Sequence, residues 1–90
     1  MVYITQVNMA VGGSGHEHIA NVRYVQTGSN DTKHCSRQQM VEFLRANPGQ
    51  ARVRDGIGEV TVGVVEATPP YIRTYKDGRP TDNLLNLPRY

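Results

Sequence analysis

Ninety residues make one domain with one core, and leave little room for a deep pocket. The formal charge is +2, ten Lys and Arg against eight Asp and Glu, short of the excess that marks a strongly basic nucleic-acid binder. Cys35 is the only cysteine, so an intramolecular disulfide is excluded.

Other totals set expectations. Eight of the ten cations are Arg, whose planar fork suits phosphate, carboxylate and stacking partners, although Arg-favouring codons give the same count. A lone cysteine fits a reducing compartment. The N-terminus lacks a basic-then-apolar leader, and no apolar run approaches the ~18 residues of a membrane span. The expectation is a cytoplasmic protein with no membrane partner, of bacterial or viral type. A thin core also makes homo-oligomerisation a cheap source of buried area.

In chain order, residues 2–9 (VYITQVNM) are β-branched and aromatic with no breaker, and predict a strand. Residues 10–15 are glycine-rich and predict a loop. Residues 18–26 (HIANVRYVQ) predict a second strand, forming a hairpin with the first. Residues 27–34 predict a polar connection. Ser36 and Gln39 then fit a capping box ahead of Met40, Val41, Phe43 and Leu44, a three-turn helix closed by Asn47-Pro48-Gly49. Such a helix is too short to stand alone and must lie on a sheet. Residues 50–54 and 59–67 flank DGIG and predict another hairpin, with Val60, Val62 and Val64 toward the helix. Residues 71–75 and 81–87, around KDGRP, predict a third, short hairpin. The expected fold is a single α+β domain over residues 1–90: ββ-α-ββ plus a C-terminal hairpin, one helix on a twisted antiparallel sheet.

The segment G-x-G-H-x-H-I near the start and Y-I-R-T-Y-x-D-G-x-x-T-D-N-L-L-N-L-P-R-Y at the end resemble a family of short bacterial and phage proteins catalogued only as a domain of unknown function. The resemblance covers most of the chain. It implies a stand-alone small domain and brings no mechanism. Phage members put a viral role, such as inhibiting a host protein, among the readings.

Three places carry candidate chemistry. His16 and His18 share a face if the chain is extended there, and two imidazoles can bind a divalent metal such as zinc. A closed site needs further ligands; Glu17, His34, Cys35, Asp77 and Asp82 stand at no diagnostic spacing. Otherwise one histidine braces the loop and the other faces water. The loop at Gly13 and Gly15 offers backbone N–H groups to an anion, although a strand and not a helix follows it. In the C-terminal arm, Tyr71, Arg73 and Tyr75 point one way, a face suited to base stacking or peptide binding; alternatively Arg73 pairs with Asp77 or Asp82. Asp82 and Asn83 resemble turn chemistry, and Leu84, Leu85 and Leu87 either tuck into the core or dock on a partner. Cys35, just ahead of the helix, stands where a helix dipole lowers a thiol pKa. Glu17 and Glu66 form a carboxylate pair only if the fold joins them.

No catalytic set assembles from these residues. The leading expectation is a small non-catalytic binding module without a cofactor. Its ligand is a nucleotide or nucleic acid met by Arg23, Arg52, Arg54 and Arg73, or else a protein partner. Two alternatives are a metal-dependent hydrolase or nuclease using His16 and His18, and an assembly protein.

Overall fold

The computed structural model describes residues 1–54 and 56–90. The elements in chain order are β1 (Val2–Met9), a single 3-10 turn (His16–His18), β2 (Ile19–Gln26), β3 (Thr32–Ser36), α1 (Arg37–Ala46), β4 (Ala51–Arg54), β5 (Glu59–Val65), β6 (Tyr71–Lys76) and β7 (Arg79–Thr81). Among the described residues one helix lies on one seven-stranded sheet of order β3-β2-β1-β4-β5-β6-β7.

The helix starts where the capping box places it. Gln39 N–H donates to Ser36 Oγ (3.1 Å), and Ser36 N–H donates to Gln39 Oε1 (2.9 Å). Two orphan N–H groups are thereby satisfied. At the other end Asn47 donates from its backbone and its side chain to the Phe43 carbonyl, and Pro48 bars continuation.

Several expectations need correction. The sheet is mixed: β1 runs parallel to β4, with Val2 opposite Ala51 and Tyr3 opposite Arg52. The helical crossover makes this possible, since it returns the chain to the same end of the sheet. Residues 32–36 form a third strand before the helix, so the order is βββ-α-ββββ. Its polar side chains hid it, because an edge strand needs only one covered flank. His18 belongs to the 3-10 turn and not to β2, and β5 ends at Val65. The third hairpin closes through β7 at Arg79–Thr81; beyond it the chain turns, with Asn86 N–H donating to the Asp82 carbonyl.

Strand alternation divides the sheet into two faces. Val2, Ile4, Val53, Val60, Val62 and Ile72 are buried with Met40, Val41 and Leu44 of the helix. Leu84 of the C-terminal arm is fully buried in the same cluster, which settles its role as a core residue of this chain. The arm also extends the sheet: Val7 N–H donates to the Pro88 carbonyl, Tyr90 N–H donates to the Val7 carbonyl, and Val7 bridges Arg89 in parallel. Among the described residues no helix is long and apolar enough to cross a membrane.

Candidate functional site

The glycine loop is organised by one histidine. His18 Nδ1 accepts from the N–H of Ser14 (3.3 Å) and of Gly15 (3.2 Å). These loop donors are thus taken by a side chain of the protein, which weakens the loop as an anion cradle. A Cβ at Gly13 would lie 2.3 Å from His18 Cβ, so only glycine allows this approach.

His16 points elsewhere. The 3-10 turn, not an extended strand, separates the two imidazoles, so the expected shared face does not form. His16 is buried, with Nε2 3.9 Å from Asp82 Oδ1. Burial holds its pKa below the ordinary value; the Arg73 guanidinium lowers it further, against Asp82, Glu17 and the Thr81 backbone. Arg73 Nη2 donates to the same Asp82 oxygen at 3.2 Å, as the pairing alternative for Arg73 required. The structure therefore brings together His16, Arg73 and Asp82, with Asn83 in the turn that follows. Among the described residues no three His, Cys, Asp or Glu side chains gather as a metal cluster.

The other proposed pairings separate. Glu66 is ion-paired to Arg45, whereas Glu17 lies 3.7 Å from His18 Nδ1. Burial pushes the Cys35 thiol up, against the lowering expected of a helix start. A groove of about 770 Å³ runs between the helix start and residues 67–69, with Glu17, His18, Arg37 and Tyr71 on its walls. Arg37 is strapped across it, donating to the Glu17 carbonyl at 2.6 Å.

The sheet face without the helix carries a different chemistry. Register places Tyr3, Arg52, Thr61 and Tyr75 in one cross-strand row. Arg54 is opposite Glu59, Arg73 opposite Gly63, and Tyr71 opposite Val65. On β2, Arg23 is opposite Gln6, beyond a bulge at Thr5. Two of the guanidiniums lie over rings: Arg54 is 3.9 Å from the Tyr3 ring centre, and Arg23 is 4.1 Å from that of Tyr90. Tyr3 Oη donates to Glu59 Oε2 (3.1 Å), and Arg52 Nε lies 4.0 Å from Glu59 Oε1. Arg23 Nη1 donates to Gln6 Oε1 at 3.2 Å. Among the described residues four arginines thus share one face with two carboxylates, Glu59 and Asp82, and with Tyr3, Tyr71, Tyr75 and Tyr90.

A family model described as a protein of unknown function, DUF3892, matches residues 3–88. The chain belongs to the DUF3892 family. No curated protein and no solved structure matches it. Of the residues on this face of the DUF3892 domain, the sequence names Arg23, Arg52, Arg54, Tyr71, Arg73 and Tyr75 as candidates and does not single out Tyr3 or Tyr90. Alternation along β1 was a signal for Tyr3, since it shares a side with other outward residues of its strand. Nothing local marks Tyr90, which reaches Arg23 only because the arm folds back on β1.

Proposed function

We propose that this DUF3892 domain binds nucleic acid through the helix-free face of its sheet. The observation that carries the reading is the shared row and face of Arg23, Arg52, Arg54 and Arg73 with Tyr3 and Tyr75. Guanidinium N–H groups suit phosphate oxygens, donating two at a time. Stacking on Tyr3 and Tyr90 holds two of the four in place before a ligand arrives, which reduces the ordering lost on binding. The modest net charge does not oppose this: among the described residues the four arginines of this face stand against two carboxylates, Glu59 and Asp82. The cations of the helix side stand among Glu17, Glu42 and Glu66.

Fluorescence anisotropy with labelled single-stranded and duplex oligonucleotides tests it. Affinity is expected to fall between about 50 and 200 mM salt, with a log–log slope near −3 for four phosphate contacts. Arg52→Gln with Arg54→Gln should flatten that slope by about 2. Absence of binding to every oligonucleotide, or binding indifferent to salt, overturns the proposal.

A further inference from the structure

Resting on the reading above, we infer that the ligand is a single strand with unpaired bases, and that Tyr75 and Tyr71 are the platforms on which its bases stack.

Three observations converge. Tyr71, Arg73 and Tyr75 alternate along β6, all half-buried and facing away from buried Ile72 and Thr74. Alternate residues of a strand stand about 6.8 Å apart. That is twice the ~3.4 Å step along one strand of a duplex. Tyr71 and Tyr75, four residues apart, therefore stand about 13.6 Å apart, four such steps, a spacing that suits a strand drawn out and unstacked with the Arg73 guanidinium midway for the backbone.

Second, the Tyr75 ring packs against Gly63 of the neighbouring strand. A Cβ at Gly63 would come within 3.1 Å of Tyr75 Cε2 and 3.2 Å of Cδ2. Glycine inside a strand costs stability, and here it makes room for a ring to rest on the neighbouring strand. The Cδ2–Cε2 edge of the ring lies against Gly63, and the side chain stays partly exposed. A ring held by one edge leaves a face for a base. Stacking of this kind is tolerant of sequence, since every base has a π-face.

Third, the helix is on the wrong side for a duplex. Reading a duplex in its major groove takes a helix or a two-stranded ribbon inserted edge-on. The helix of this domain packs its Met40, Val41 and Leu44 on the opposite sheet face. What the arginines share is a broad strand surface.

The test compares three probes of about 12 nucleotides: oligo-dT, its duplex with oligo-dA, and an abasic oligomer with the same phosphates. Oligo-dT is expected to bind tightest, and to quench tyrosine fluorescence, which the abasic oligomer leaves unchanged. Tyr75→Ala should weaken oligo-dT about tenfold without changing the abasic oligomer, and Tyr75→Phe should restore the affinity. Gly63→Ala, which lifts the ring, should weaken oligo-dT in the same direction. Duplex or abasic binding as tight as oligo-dT overturns the inference and leaves the proposed function standing. So does a folded Tyr75→Ala protein with unaltered affinity. If no probe binds, both fall. The wild-type comparison of oligo-dT with the abasic oligomer decides the matter even if a variant does not fold.

Discussion

The two faces of the sheet are built from the same strands and obey different rules. On the helix side, the inward apolar residues of β1, β4, β5 and β6 are explained by burial: Val2, Ile4, Val53, Val60, Val62 and Ile72 share one cluster with Met40, Val41 and Leu44. On the other side, the alternate residues of those strands include Arg52, Arg54, Arg73, Tyr3 and Tyr75. Folding requires little of that face beyond strand propensity. A β-surface that needed only solubility would do with Thr, Lys and Glu. The difference separates residues kept for the core from residues available to a ligand.

That contrast can be broken by substitution, beginning with the largest effect. Leu84→Ala removes a fully buried side chain and should cost about 3 kcal/mol by urea denaturation, a large share of the stability of a small domain. A cost under about 1 kcal/mol would mean that the arm is not part of the core. Ser36→Ala deletes one half of the capping box and should cost about 1 kcal/mol by the same assay. Arg54→Gln on the open face should move stability by less than about 0.5 kcal/mol. If instead it destabilises as much as a core change, the arginine face is structural and the division between the faces fails.

Acid sharpens the picture at the junction between them. The folded-state pKa of His16 is lowered from 6.5, chiefly by burial and next by Arg73. As pH falls through 6.5 the unfolded chain takes up a proton that the folded one refuses. Stability is therefore full above 6.5 and declines below it, until the folded-state pKa is reached. Thermal melts should show that decline in wild type and a flatter profile in His16→Asn. A parallel profile in the two proteins would assign the loss to other groups. The smallest effect concerns Cys35. With burial raising its pKa, the thiol should react slowly with a disulfide reagent at neutral pH and rapidly once unfolded.

Much of this architecture was legible from local signals. Ser36 and Gln39 announced the helix start, Asn47-Pro48 its end, and valine alternation the inner side of β5. What escaped depended on distance along the chain. β3 is polar because it sits at an edge, and its partner β2 supplies the order that its sequence does not. The parallel pairing of β1 with β4 joins residues about half a chain apart, which no turn motif encodes. At the candidate site, Tyr71, Arg73 and Tyr75 lie on one strand, so their common face followed from alternation. The row that adds Tyr3 and Arg52 needed the register of four strands. The extended-chain assumption for His16 and His18 failed at the 3-10 turn, where His18 accepts the loop amides and His16 turns inward.

The thin pairing of β1 with β4 also bears on how the chain reaches this state. Strands β1 to β3 form one local meander, and β4 to β7 form another, each joined by neighbours in sequence. The strand seam between them is Val2–Ala51 and Tyr3–Arg52, with the Val7–Arg89 bridge beyond. Early events are therefore short-range and quick, while closing the seam brings together segments that are remote in the chain and carries the larger loop-closure entropy. Topology thus predicts that joining the two meanders, with the helix laid across the join, sets the pace of folding, which refolding kinetics of a seam variant such as Ala51→Gly would check.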